Sequence, residues 1–140
     1  MVAAAALGVV ALILVGCGEP ASEAAPQLAP LQPNRSSELA EAMRAMDAEL
    51  VELLAAHAGN PDAWEGAAFT RMDLTRMMPT DSTMLVDGYQ AFAMAFHAHV
   101  EAFNAQPSAT TYSNVVNGCL SCHQRACPGP IERINKRQLD

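Results

Sequence analysis

The chain is poor in positive charge and in residues that favour strands. Only 8 of its 140 residues are Lys or Arg, against 15 Asp or Glu, and the formal net charge is -7. Binding of nucleic-acid phosphates needs clustered Lys and Arg, which residues 1–120 do not supply. Ala, Leu, Met and Glu, which lose little rotamer freedom in helices, are abundant. The composition therefore predicts an all-α protein that does not bind nucleic acid.

The chain also lacks an apolar run long enough to span a bilayer comfortably. The run AAAALGVVALILVGC, residues 3–17, has the length of the apolar part of an export signal. Its end, LVGC, resembles the lipobox of bacterial lipoproteins, in which cleavage leaves Cys17 as the lipidated N-terminus. We expect residues 1–17 to be a lipoprotein signal, with an uncleaved anchor or a buried helix as the alternative.

This signal predicts a lipid-anchored protein on the periplasmic side of the bacterial cell envelope. Gly18, rather than Asp, follows Cys17, which by resemblance to enteric lipoproteins favours the outer membrane over the inner. Residues 18–35 are rich in Pro and Ala and show no helical or strand period, so we interpret them as an extended tether. About a hundred residues remain, enough for one hydrophobic core.

Beyond the tether, apolar residues recur at alternating steps of four and three, which is typical of helices that pack on one side. The stripes predict four helices: from Ser36 or Ser37 to Gly59, from Asn60 to Met78, from residues 80–82 to Phe103, and from Ser108 or Thr110 to Ala126. Proline follows the second and the fourth closely and ends them. Residues 36–130 are therefore predicted to form an up-down-up-down four-helix bundle, a fold that builds cofactor sites from inward-facing side chains.

The fourth predicted helix carries a short motif of two cysteines and one histidine. Residues 119–123, CLSCH, match C-x-x-C-H, the attachment motif of c-type haem. Thiols three residues apart lie on one side of a helical turn and can reach the two vinyl groups of one porphyrin, while the histidine projects towards the iron. We predict one covalent haem c, held by Cys119 and Cys122, with His123 as the proximal iron ligand.

The same residues allow two other interpretations. A thioredoxin-like dithiol normally follows a strand in a βαβ unit, and no such pattern is present. Together with Cys127 they form a zinc-like set of three cysteines and one histidine, but one continuous helix cannot wrap them around one ion. Cys127 is predicted to be a buried thiol beside the haem. Tuning of His123, redox reactivity and an intermolecular disulfide are its alternatives.

With C-x-x-C-H near the end of the last helix, residues 36–127 resemble the cytochrome c-prime family. The resemblance implies a haem on the C-terminal helix of a bundle, a distal residue from the first helix and, in many members, a homodimer. The continuation CHQRACPGPIERI departs from that family and is similar to a branch of haem-binding bacterial proteins with a Cys-Pro-Gly-Pro ending.

The distal ligand should come from a position level with His123. In an up-down bundle the first helix runs antiparallel to the fourth, so His123 lies level with the beginning of helix one. His57 is then about 16 Å or more too far along that helix. His97 and His99 are predicted to be remote as well.

Methionines occur at the correct level of the predicted bundle. Met43 and Met46 are on the first helix, from which the resembling family supplies its distal residue, and Met77, Met78 and Met84 are at the ends of the next two helices. A methionine on an apolar stripe can also be a core residue that fills a gap. We favour Met43 as the distal ligand, with Met46 as the second choice. Arg44 is a candidate contact for a haem propionate.

These expectations describe a monohaem c-type cytochrome that transfers single electrons to or from a redox partner protein. Methionine ligation raises the reduction potential, which suits an electron carrier. An open iron would instead make the protein a module that binds or senses a diatomic gas such as NO or CO. A haem enzyme such as a peroxidase would need a distal histidine and arginine level with His123, and the sequence places no such pair there, so we do not predict an enzyme. Residues 131–140 are predicted to be a basic tail that is solvated, covers propionates or steers an acidic partner.

Overall fold

The computed structural model describes residues 36–60 and 62–139, and within them the regular structure is helical, without strands. It contains α1 (Glu38–Gly59), α2 (Tyr89–Ala105), α3 (Ala109–Ala126) and α4 (Ile131–Asn135). Two 3-10 helices, Leu74–Arg76 and Ser82–Met84, lie between α1 and α2. The predicted all-α class is confirmed for this part of the chain.

The predicted signal, the lipidation residue Cys17 and the tether 18–35 lie outside the described residues. Among the helices that are described, none combines the length and apolar character needed to cross a membrane.

Helices α1 and α3 begin where side-chain caps are available. The Ser37 hydroxyl accepts a hydrogen bond from the backbone N–H of Ala40 at 3.2 Å. At α3, Ser108 and Thr111 form a reciprocal capping box, in which each side chain accepts from the other residue's backbone N–H. These bonds satisfy N–H groups that lack an intrahelical partner. The first and fourth predicted helices are thus present, close to their predicted bounds.

The second predicted helix is wrong. Residues 62–66 form turns, and the only regular element described in residues 62–78 is the 3-10 helix Leu74–Arg76. The backbone at Gly66 has a φ of +75°, in the left-handed region that interrupts a right-handed helix. Trp64, Phe69 and Leu74 are each buried, but at steps of five residues rather than on a helical stripe. Tertiary burial therefore overrides the helical propensity of this segment.

Side chains of neighbouring elements replace the missing helical hydrogen bonds in this loop. The amide of Asn104 accepts from the backbone N–H of Phe69 at 2.7 Å and donates to its carbonyl oxygen at 2.9 Å. The Tyr89 hydroxyl donates to the carbonyl oxygen of Leu74 at 2.7 Å. Glu49 accepts from the backbone N–H of Thr70 at 3.0 Å. Backbone polar groups need partners when water is excluded, and α1 and α2 supply them here.

The third predicted helix begins later than expected. Instead of capping α2, Asp81 accepts from the backbone N–H of Thr83 and caps the 3-10 helix Ser82–Met84. Helix α2 starts at Tyr89 after Gly88, whose φ of +86° is in the left-handed region. The buried stripe of α2 consists of Tyr89, Ala93, Phe96, Val100 and Phe103. Leu85, predicted to be part of it, is exposed.

The core is densest where α1, α2 and α3 meet. Its most buried large side chains are Tyr112, Phe103, Val100, Val115 and Val116. The Tyr112 hydroxyl lies 3.0 Å from the carbonyl oxygen of Arg137 and 3.2 Å from that of Leu50. This residue therefore joins α3 both to α1 and to the end of the chain.

Residues 131–139 are not a solvated tail. Helix α4 packs on α3, and its Ile134 is buried in the core. Arg137 donates to both carboxylate oxygens of Asp47 on α1, at 2.9 and 3.4 Å. The buried side chain of Ile134 and the ion pair between Arg137 and Asp47 hold α4 against the rest of the fold. A helix of this length would be only marginally stable in isolation.

Tyr112→Phe tests the link between α1, α3 and the C-terminal segment. Loss of the hydroxyl should cost about 0.5–1.5 kcal/mol at pH 7, because one buried hydrogen bond disappears. Burial raises the pKa of Tyr112 to about 12. Since an unfolded tyrosine titrates near pH 10, this stabilisation is complete below about pH 10 and declines as the pH rises towards 12.

The free energy of unfolding of the wild type and of Tyr112→Phe is measured by urea unfolding between pH 7 and 11. The wild type should lose more stability than the variant above pH 10. Equal losses in the two proteins would contradict the assignment.

Candidate functional site

The last turns of α3 present the motif residues to one cavity. Cys119, Cys122 and His123 follow one another along a single face of the helix and are all partly buried. All three line a small cavity of about 20 Å³ between α3, α2 and α1. Cys122 and His123 also line an adjoining cavity of about 340 Å³, a volume within the range of small-molecule and cofactor pockets. The predicted motif therefore faces recessed space between the helices.

The end of α3 fixes the ring of His123. Nδ1 of His123 lies 2.8 Å from the carbonyl oxygen of Cys127, and the backbone N–H of Cys127 donates to the carbonyl oxygen of His123 at 3.3 Å. A carbonyl oxygen only accepts, so Nδ1 carries the proton, and in the neutral imidazole the lone pair is then on Nε2. This tautomer is the one that metal-ligating histidines adopt when their other nitrogen donates to a carbonyl.

Pro128 explains why that carbonyl is available. Proline disfavours helical backbone at the residue before it. Cys127 accordingly has φ -150° and ψ 86°, and α3 ends there. The carbonyl oxygen of Cys127 thus leaves the helical hydrogen-bond pattern and accepts from the imidazole four residues earlier.

The two motif thiols are in apolar surroundings. Burial raises the pKa of Cys119 to about 12. Burial also raises the pKa of Cys122, with a smaller contribution from Cys127. Both thiols are therefore protonated at neutral pH. A catalytic dithiol needs a lowered thiol pKa, so the geometry gives the thioredoxin-like alternative no support.

The zinc alternative requires several ligands around one point. No group of three or more His, Cys, Asp or Glu side chains suited to a metal ion is found in residues 36–60 and 62–139.

Cys127 is partly buried and lines the larger cavity next to the motif residues Cys122 and His123.

Of the two candidate distal methionines, Met43 is at the cavities. It lines both of them, opposite Cys122 and His123. Met46 is buried in the core and lines neither. Met84, from the 3-10 helix before α2, lines the larger cavity and is a second thioether there. Arg44 lines that cavity as well, with an exposed side chain.

The other histidines line neither cavity. His57 stacks on Trp64 with ring centroids 4.5 Å apart, and His97 is 3.9 Å from a carboxylate oxygen of Glu101. His99 packs against Gly118, one residue before Cys119, and is thus closer to the motif than we expected. The close approach of α2 to α3 at Gly118 accounts for this position.

Several residues of the site do not follow from the motif. Tyr89 lines both cavities, Phe96 lines the smaller one, and Thr80 and Arg133 line the larger one. The helical stripe already indicated that Tyr89 and Phe96 face the core. No sequence signal indicated Thr80, which a loop carries, whereas Arg133 belongs to the basic tail for which contact with propionates was one of the expectations.

Gly118 is the point of closest approach between α2 and α3. A Cβ atom there would lie 3.1 Å from Cδ2 of His99 and 3.3 Å from Cδ2 of Phe96. Glycine inside a helix has a cost in stability, which a close helix-helix contact can offset. Here it brings α2 against the turn of α3 that carries Cys119.

Comparisons with known proteins find no significant match. This holds for family models, for curated proteins and for solved structures. Inferences about this site therefore depend on the residues and the geometry of the chain itself.

Gly118→Val should separate α2 from α3 next to the motif. We expect a loss of about 1–3 kcal/mol in unfolding free energy, because the added methyl groups overpack the contact. Gly59→Val is the matched control, since a Cβ atom at Gly59 meets nothing within 4 Å. Urea unfolding measures both, and equal effects would show that α2 and α3 are not tightly packed at this point.

Proposed function

We propose that this protein is a monohaem c-type cytochrome that transfers single electrons at the bacterial cell envelope. The observation that carries the proposal is the hydrogen bond from His123 Nδ1 to the carbonyl of Cys127, which leaves Nε2 free beside the two motif thiols. Ring orientation, tautomer and thiol spacing all meet the requirements of C-x-x-C-H haem attachment.

The residues present fit a haem. Cys119 and Cys122 would hold the macrocycle through thioethers, and His123 would ligate the iron. Bound haem supplies an iron that changes between the ferric and ferrous states, which is one-electron chemistry. Tyr89, Phe96 and Leu39 provide apolar walls that exclude water, while Arg44 provides a positive charge for a propionate.

On the distal side, we propose Met43 as the sixth ligand. It lines both cavities together with His123, whereas Met46 is packed into the core. Thioether ligation raises the reduction potential and closes the iron to exogenous ligands. Met84 is the alternative thioether, because it lines the larger cavity too.

The distal side allows a second candidate function. If neither Met43 nor Met84, the two methionines that line the larger cavity, coordinates the iron, the iron would stay open to a small ligand. The protein would then be a five-coordinate haem module that binds or senses a diatomic gas such as NO or CO. The two functions differ in the distal coordination alone.

Further parts of the proposal concern the whole chain. We propose lipidation at Cys17, an outer-membrane anchor facing the periplasm, and an electron-transfer partner protein, with a homodimer as a possible assembly. The haem would lie on α3 of a helical bundle, in which the segment between α1 and α2 takes the place of the second long helix. We assign no enzymatic activity.

Haem attachment is tested on the full-length protein produced with a c-type cytochrome maturation system. We expect a Soret band that persists after acid-acetone extraction, because thioethers resist it. Cys122→Ser should shift the pyridine haemochrome band, since one thioether is lost, whereas the control Cys127→Ser should leave it unchanged. His123→Ala should abolish the native spectrum. Without a Soret band in the wild type, the proposed function is wrong.

The distal ligand is tested with Met43→Leu, which keeps the apolar volume but removes the sulfur. The wild type should give a low-spin reduced spectrum that carbon monoxide does not change. Met43→Leu should become high-spin and bind the gas, while Met46→Leu should behave like the wild type. A wild type that binds carbon monoxide at once would instead favour the gas-binding function, and loss of ligation only in Met84→Leu would transfer the role to Met84.

A further inference from the structure

Helix α4 forms part of the wall of the larger cavity. The turn Pro128-Gly129-Pro130 reverses the chain after α3, and Cys127, Pro130 and Arg133 all line the cavity. Buried Ile134 on the same short helix holds α4 in place. A segment for which a solvated tail was one of three expectations therefore lines one side of the candidate site.

Asp47 on α1 binds two arginines of this segment. Arg137 donates two hydrogen bonds to its carboxylate, and the Arg137 side chain is only 16% exposed. Nε of Arg133 lies 3.4 Å from Oδ2 of Asp47, an oxygen that Arg137 also contacts, but the Arg133 side chain is 54% exposed. Two hydrogen bonds thus hold the Arg137 guanidinium group on Asp47, whereas Arg133 makes one longer and more exposed contact with the same carboxylate.

Arg133 differs from Arg137 in a second respect. It lines the larger cavity together with Cys122 and His123, and Arg137 does not. A guanidinium group has five N–H donors in a planar fork suited to a carboxylate. In the described part of the chain its side chain donates no hydrogen bond, so these donors remain available for a carboxylate in the cavity.

We propose that Arg133 binds a propionate carboxylate of the haem, and that Asp47 positions the Arg133 side chain for this contact. The inference rests on the proposed function and deepens it, because it assigns a specific partner to one polar group of the cofactor. Helix α4 is then a haem-covering element, and its Cys-Pro-Gly-Pro turn brings Arg133 to the cavity.

Arg133 suits this role better than Arg44. Arg44 is an exposed residue of α1, and no contact in the described residues holds its side chain. Ordering a free arginine side chain costs rotamer entropy, and part of this cost is already met where an ion pair restricts the side chain. Asp47 restricts the side chain of Arg133 in this way, and no residue in the described part of the chain does so for Arg44.

A cation at a propionate also affects the iron. Arg133 offsets the negative charge of the propionate, and a less negative environment favours the ferrous over the ferric state. Removal of the charge should therefore lower the reduction potential. The other charged or titratable groups at this end are Arg44 and Asp47 on α1, Tyr89 on α2, Cys122 and His123 on α3, Cys127 just after α3, and Arg137 after α4.

The test compares Arg133→Gln with Arg137→Gln in the full-length haem protein. Both substitutions remove one arginine from Asp47, but only Arg133 is at the cavity. Resonance Raman spectroscopy detects the propionate bending vibration, which responds to hydrogen bonds at that carboxylate. We expect this band to shift and the reduction potential to fall in Arg133→Gln, with neither change in Arg137→Gln. Arg133→Lys should restore the potential in part, and Asp47→Asn should give a smaller shift of the band.

The other outcomes contradict the inference. If the wild type holds haem but the band and the potential are unchanged in Arg133→Gln, Arg133 does not bind a propionate, and the proposed function still stands. The same follows if only Arg44→Gln shifts the band. Equal changes in Arg133→Gln and Arg137→Gln would show that the effect comes from loosening α4. A wild type without a Soret band removes the proposed function and this inference together.

Discussion

The hydrogen bond between His123 and the carbonyl of Cys127 is the contact on which the candidate site depends. It joins the imidazole to the end of its own helix, so the ring cannot rotate without breaking a bond of 2.8 Å. Pro128 makes this bond available by ending α3 at Cys127. The histidine of the motif and the proline five residues later thus determine the orientation of the imidazole ring and its tautomer.

Around that bond, the protein builds its cavity from elements of very different kinds. Helices α1, α2 and α3 supply apolar walls, and α4 and the loop before α2 supply the remaining sides. The loop has few helical hydrogen bonds of its own and depends on Asn104, Tyr89 and Glu49 for backbone partners. The same helices that line the cavity therefore also hold the loop that closes it, and Tyr89 contributes to both.

How far sequence reasoning succeeded differs from element to element. The bounds of α1 and α3 were predicted well, because Ser37, Ser108 and Pro128 are strong local signals for helix ends. The segment 60–78 was predicted to be a helix from Asn60 as a cap and from apolar residues at helical spacing. This failed because Trp64, Phe69 and Leu74 are buried one by one by neighbouring elements. The start of α2 was misplaced because Asp81 caps a 3-10 turn, and a cap does not indicate how long the helix after it will be.

The sequence by itself determined the helical class, the spacing of Cys119, Cys122 and His123 on one helical face, and the level at which a residue from α1 could meet them. These properties follow from helical periodicity and from proline, and both act over a few residues. Only the tertiary structure decided that Met43 rather than Met46 lies at the cavity, and that α4 covers it with Arg133. Those outcomes depend on the rotation of α1 and on the contacts of Asp47 with residues 86 and 90 positions away. Contacts across such distances in sequence leave no local pattern, since any arginine in a polar segment has the same local appearance.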